Sequence, residues 1–439
     1  MAGWLSASSG LHAQSANAWG VGSTNLDRLP HFWAAVERSN APVTVVAFGD
    51  SVAVQYQSIQ FFLFSRLQAS HGDAGYAYVD TYNRIAASLG GGASWLGSKT
   101  TANPLWWSDY LRLPPGGYVS WADSWTSAGP VACDQVGVFW IAHPGGGAFA
   151  LSVATNRGVW NAPLVVLDGY SPQPVGRHTN TTLAQASYWL RAESVSGTNL
   201  ILSPQFLKRT STGIQTAYLA KVNANLNEIL SLSTNLTYPI LSALNPQLVV
   251  WHAKEVADIG ATGLSNRLFG QEAMWRNCVT NGDVVYIGTP YDFRDTNNPV
   301  WTPTQNRLVK QAAERDGRGY LDSMTPCVSY PAMVAANFTP DGIHVNNTGN
   351  AYLAGIAWRE LTWSALRLDR WLTLQSLPGG AQVLSWPSGT NLSYTLQAAT
   401  DLQNWSPIHT ALGDGTRHAV TNVPSASGHQ MFRLKLTGN

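Results

Sequence analysis

Three residues in this chain have the types that nucleophilic catalysis needs: Ser51, Asp341 and His344. A serine hydroxyl is a poor nucleophile until a base takes its proton, and an imidazole held in one tautomer by a carboxylate does this near neutral pH. Ser51 closes the run Val43-Thr44-Val45-Val46-Ala47-Phe48-Gly49-Asp50-Ser51, and Asp341 and His344 stand three residues apart in Asp341-Gly342-Ile343-His344. Each half has a bland explanation by itself: Gly, Asp and Ser are common turn residues, and Asp-Gly-Ile-His also reads as a capped turn leading into a helix. Together they supply a nucleophile, a base and an orienting carboxylate.

A catalytic serine of this kind has to be presented at the carboxyl end of a buried strand, where open α/β sheets place their ligands. Val43 to Phe48 is a short apolar, β-branched run, and Ile59 to Leu67 after it reads as a buried helix, so the segment is strand, tight turn, helix. Further strands are expected at 246–252 and 283–288, with helices at 215–232 and at 304–316, where Pro303 sits near the start. This alternation predicts a parallel sheet covered by helices.

Between about Ala86 and Ser203 the texture changes to alternating stretches such as Val136-Gly137-Val138-Phe139-Trp140-Ile141, separated by Gly, Pro and Asn. That region reads as a β-sandwich inserted into the α/β domain. After Trp371 the pattern is again β-type, with strands expected at 382–386, 392–397 and 431–436, a size that suits a small appended β-sandwich. The expected organisation is 25–85 and 205–370 for the two parts of the α/β domain, 86–204 for the insert and 371–439 for the tail module.

At 439 residues, two or three domains are the prior. A formal net charge of +1 with no basic run gives no electrostatic footprint for nucleic acid or an anionic membrane. No run of about 18 apolar residues exists, which excludes a spanning helix and membrane insertion through one. Cys133, Cys278 and Cys327 lack metal-ligand spacing and allow at most one disulfide plus a free thiol. Pro144-Gly145-Gly146-Gly147 lacks the Lys-Ser/Thr ending of a phosphate loop and reads as a β-turn. Residues 1–22 lack the basic start and clear apolar block of a secretion signal.

The Gly-Asp-Ser turn in the first block and the Asp-x-x-His pair in the last make the chain resemble the SGNH (GDSL-type) hydrolase superfamily over roughly residues 40–85 and 205–366. It is similar in particular to the subgroup of peptidoglycan and polysaccharide O-acetylesterases with an inserted β-sandwich. Three passages carry that closer likeness: His71-Gly72-Asp73-Ala74-Gly75-Tyr76, His143-Pro144-Gly145-Gly146-Gly147 and Ser211-Thr212-Gly213-Ile214-Gln215-Thr216-Ala217. The resemblance implies a flavodoxin-like three-layer α/β/α hydrolase domain with an inserted β-sandwich and a small C-terminal β-sandwich.

It also implies the site. Ser51 attacks, His344 transfers the proton, Asp341 orients it, and Gly213 gives a backbone N–H to the oxyanion beside that of Ser51, with Gly75 as the alternative. The family's third block carries an oxyanion asparagine, whereas this chain has His252-Ala253-Lys254-Glu255. Lys254 then either stabilises the oxyanion by charge or pairs with Glu255 or Asp258 and leaves the oxyanion hole to two donors. His252, after a buried strand, reads as a structural residue.

The expected activity is removal of O-acetyl or other small acyl groups from a polysaccharide, by a secreted or periplasmic bacterial enzyme that needs no metal or organic cofactor. The partner is an acylated polysaccharide or oligosaccharide. Acyl transfer to a sugar hydroxyl uses the same acyl-enzyme, and a carbohydrate-binding protein with a decayed hydrolase domain is the contrasting reading, against which the retained triad argues. Trp95, Trp106, Trp107, Trp121 and Trp125 could stack on sugars, although packing is the commoner role of any one of them.

Overall fold

In a computed structural model, Val43–Gly49 (β1) is buried at all seven positions, as expected for a parallel strand covered on both faces. The structure describes residues 23–26, 29–38, 40–49, 53, 58–79, 85–96, 110–124, 129–220, 234–252, 260–368, 373–376, 382–387, 392–399, 404–413, 417–422 and 431–438. The chain divides into two compact units, Met1–Glu360 and Leu361–Asn439.

In the first unit, helix α1 (Pro30–Arg38) precedes β1, and α2 (Ile59–His71) and β2 (Asp73–Tyr78) follow it. The β-rich segment holds β3 (Ile85–Gly90), β4 (Ser94–Leu96), β5 (Tyr110–Leu113), β6 (Tyr118–Ser124), β7 (Val131–Ala142), β8 (Ala148–Ala154), β9 (Val165–Asp168), β10 (Val175–Ser194) and β11 (Asn199–Leu207). The chain returns through β12 (Ile214–Ala220), α3 (Thr234–Leu244), β13 (Leu248–His252), α4 (Gly260–Cys278), β14 (Asp283–Ile287), α5 (Trp301–Asp316), β15 (Gly319–Leu321), α6 (Tyr330–Ala335) and α7 (Asn347–Leu368).

The parallel strands lie in the order β15-β14-β13-β1-β12-β2, and the first five have the flavodoxin-like arrangement in which β1 has β12 on one side and β13 on the other. Alternate residues of β1 serve opposite layers. Val46 and Phe48 join Ile240 of α3, Trp275 of α4 and Val309 of α5 in one core. On the other face, Phe64 of α2 packs on Tyr218, and the Phe32 N–H of α1 donates to Asp283 Oδ2 at 2.8 Å. A β-carbon on Gly355 of α7 would stand 3.4 Å from the Arg66 guanidinium of α2, so α7 shares that layer.

One expected helix is instead a strand. Within 215–232, residues Ile214–Ala220 form β12, paired along its length with β1. Six of its seven positions are buried, and a run apolar on both faces has no period to separate strand from helix. The remainder of that segment, 221–232, lies outside the described residues.

The insert continues the sheet. β11 pairs antiparallel with β2, β7 with β11, and β10 with β7. The 20-residue β10 shifts register between Thr182 and Ala186, and its second half pairs with β6 and β8, so one strand turns the corner into the facing layer. Val136, Val138 and Trp140 of β7 face the sandwich core, whereas Phe139 and Ile141 face the α/β core. Trp121 is fully buried in the sandwich core and forms no stacking surface, whereas Trp95 is partly buried against that core. Trp106, Trp107 and Trp125 lie outside the described residues. All three cysteines are free and buried, which leaves no disulfide among them.

The second unit has two antiparallel three-stranded sheets. One joins β16 (Thr373–Ser376), β17 (Gln382–Pro387) and β20 (Arg417–Asn422); the other joins β19 (Ser406–Leu412), β18 (Leu392–Ala399) and β21 (Met431–Gly438). Leu384 and Trp386 of the first meet Tyr394 and Leu396 of the second in a small shared core.

Candidate active site

The parallel strands end level with one another: Gly49 is in register with Ala220 and with His252, and His252 with Ile287. The crevice of a doubly wound sheet opens beyond this edge, between β1 and β13. Gly49 is required there by space. A β-carbon on it would lie 3.0 Å from the His252 carbonyl oxygen and 3.1 Å from the Ala53 methyl, and its φ is +153°. Ser51 follows Gly49 by two positions in sequence and lies outside the described residues. His252 is 1% exposed at the end of its strand.

Asp341 and His344 meet. The His344 Nδ1–H donates to Asp341 Oδ2 at 2.6 Å, while Asp341 Oδ1 accepts the backbone N–H of His344 at 2.7 Å and of Ile343 at 2.9 Å. Partial burial pushes the Asp341 carboxyl up, but the His344 ring and the two backbone donors outweigh it and hold the group below its usual range. A carboxylate at Oδ2 fixes the proton of a neutral imidazole on Nδ1, which leaves the Nε2 lone pair as the basic one.

Local structure holds the turn rigidly. Gly342 has φ +80°, a conformation that side chains disfavour, and its carbonyl accepts the Phe293 N–H at 2.8 Å. Phe293 lies beyond the carboxyl end of β14, so the Asp341–His344 turn belongs to the same edge of the sheet as Gly49. On the far side the Asn346 N–H donates to the Phe338 carbonyl at 2.7 Å, and the Asn346 side chain accepts from the Gly349 N–H at 3.0 Å in the first turn of α7.

Gly213 is not part of this arrangement. It precedes β12 at the opposite edge, where its carbonyl accepts the Val43 N–H at 3.0 Å. The seven-residue strand β1 separates that edge from Gly49 by about 20 Å. Gly213 is needed because a β-carbon would strike the Gly72 backbone. Gly75, near the same edge, has φ +96°, and a β-carbon on it would strike the Phe206 carbonyl, so it too is structural. Lys254 lies outside the described residues, two positions after His252.

The sequence reading missed the segment Tyr291-Asp292-Phe293-Arg294, which bonds to the Asp341–His344 turn. Its one legible signal was its place directly after a buried strand.

No protein-family model matches the chain, and no curated protein does. A solved peptidoglycan O-acetylesterase aligns with TM-score 0.59 at 15% identity, covering 78% of this chain and 96% of that one. Two others align less completely: a putative GDSL-like lipase from Parabacteroides merdae (TM-score 0.29, 14% identity, 34% of this chain and 74% of that one) and a carbohydrate esterase family 2 enzyme with a carbohydrate-binding domain from Corynascus thermopiles (0.29, 11%, 62% and 99%). Strand order and layering define a doubly wound α/β protein with a β-sandwich built onto one sheet edge. This is the fold of the solved peptidoglycan O-acetylesterase.

Proposed function

We propose that the chain is a serine esterase that removes O-acetyl or other small acyl groups from a polysaccharide. The observation that carries this reading is the 2.6 Å pair of His344 Nδ1 and Asp341 Oδ2, on a turn bonded to the loop that leaves β14 at the same end of the sheet where β1 ends just before Ser51. The activity of the peptidoglycan O-acetylesterase that shares the fold supports an acetyl ester as substrate.

In this mechanism His344 Nε2 takes the Ser51 proton as Oγ adds to the acyl carbonyl, and Asp341 stabilises the imidazolium that forms. The Ser51 backbone N–H and the Lys254 ammonium stabilise the oxyanion, with Gly213 excluded by its place in the fold. His344 then gives its proton to the departing sugar oxygen, leaving an acyl-enzyme. Water, deprotonated by the same imidazole, releases the carboxylic acid and restores Ser51. A polysaccharide substrate also implies action outside the cytoplasm, which fractionation of the producing cell tests.

Hydrolysis of p-nitrophenyl acetate and of O-acetylated glycans by wild type and Ser51→Ala tests the activity. Loss of turnover on both in the variant is expected; turnover that survives it refutes the assignment.

A further inference from the structure

Two aromatic side chains flank the turn that carries Asp341 and His344. Phe293 is 44% exposed and Tyr330 is half-buried. A β-carbon on Gly342 would stand 3.1 Å from the Tyr330 hydroxyl and 3.2 Å from Phe293 Cβ, so both side chains close on the turn.

The fold fixes these rings with costly devices. Phe293 opens the 3₁₀ turn Phe293–Thr296, capped by Asp292, which is buried and accepts from the Arg294 backbone N–H at 2.9 Å and from Arg294 Nε at 3.0 Å. Asp295 accepts the Asp292 N–H at 2.9 Å, the Thr302 N–H at 3.0 Å and the Thr302 hydroxyl at 2.7 Å, which fastens the turn to α5. Buried carboxylates are stabilising only when satisfied in this way.

On the other side, Val328 has φ +64° and ψ −56°, and the Ser329 N–H donates to the Cys327 carbonyl at 2.7 Å. This is a γ-turn of the strained hand, centred on a β-branched residue, and it leads directly into Tyr330 at the start of α6. Buried charge on one segment beside the turn and backbone strain on the other, with an exposed Phe between them and solvent, point to a functional surface.

We propose that Phe293 and Tyr330 form the platform that receives the pyranose ring bearing the ester. An aromatic face matches the C–H face of a pyranose, the phenol can hydrogen-bond ring hydroxyls, and the Arg294 guanidinium beside Phe293 is engaged by Asp292. The inference rests on the esterase reading above for the identity of the bound ester.

The test has a catalytic and a binding arm. In catalysis, Phe293→Ala raises KM for O-acetylated cello-, xylo- or chito-oligosaccharides about tenfold more than it raises KM for p-nitrophenyl acetate, which has no sugar ring, and Phe293→Tyr restores the ratio. Equal loss on both kinds of substrate, or none on either, overturns the platform. In the second arm, calorimetry on the Ser51→Ala protein measures oligosaccharide binding without turnover; adding Phe293→Ala weakens Kd about tenfold. Unchanged Kd, or no binding of any of these oligosaccharides, refutes the platform. Wild type that binds through Phe293 but hydrolyses neither ester refutes the esterase reading instead.

Discussion

The Phe293 N–H donates to the Gly342 carbonyl at 2.8 Å, and this bond joins the Asp341–His344 turn to the segment that leaves β14. That turn, carried between α6 and α7, is thereby tied to the loop that leaves the end of the sheet at which β1 also ends.

Asp341→Asn removes the acceptor charge that fixes the His344 tautomer. The expected loss in kcat is about 10³–10⁴-fold with little change in KM, measured by steady-state kinetics on p-nitrophenyl acetate. A loss below about tenfold would place Asp341 outside the proton relay.

Glu360 makes a pH prediction about stability. Burial pushes its carboxyl up to about 7, the nearby Asp322 adds to the rise, and the Ser23 hydroxyl that donates to it offsets part of it. A carboxyl raised in the folded state holds its proton while the unfolded chain ionises. Stability is therefore highest below the usual carboxylate pKa and falls by a few kcal/mol, to order of magnitude, as pH rises toward 7. Glu360→Gln should flatten that fall in Tm against pH; an unchanged slope contradicts the assignment.

Gly213 and Lys254 separate by experiment. Gly213→Ala forces a methyl into the Gly72 backbone and should lower stability by about 1–3 kcal/mol, read by urea denaturation, while kcat per folded molecule holds. Lys254→Ala should lower kcat more than it raises KM, as removal of an oxyanion donor does. Unchanged kcat assigns Lys254 to a surface ion pair.

Gly49→Ala crowds the His252 carbonyl at the crevice. It should cost about 1–3 kcal/mol of stability and reduce kcat as well, because the strained segment leads straight to Ser51. Full activity in a stable Gly49→Ala protein would mean that this close contact does not position the nucleophile.

Legibility in the sequence followed the range of the interaction. Asp341 and His344 are three residues apart, so their pairing is a local fact of one turn, and Val43–Gly49 announces itself by a mostly apolar, β-branched run. Gly213 misled because a motif gives proximity along the chain but not the edge of the sheet at which a parallel strand begins. β12 was hidden by burial on both faces, and the pairing of Phe293 with Gly342 spans elements that no local pattern links. The merging of the insert with the α/β sheet depends on β11 meeting β2 across more than a hundred residues, which alternation within each strand cannot reveal.

The central claim is that Ser51 carries the acyl group. Rapid quenching of the protein with p-nitrophenyl acetate, followed by peptide mass analysis, measures this directly. An acetyl adduct on the Ser51 peptide, absent in Ser51→Ala and formed far more slowly when His344 is replaced by alanine, is the predicted result. Turnover with no adduct at Ser51, or an adduct on another residue at the same rate, would contradict it.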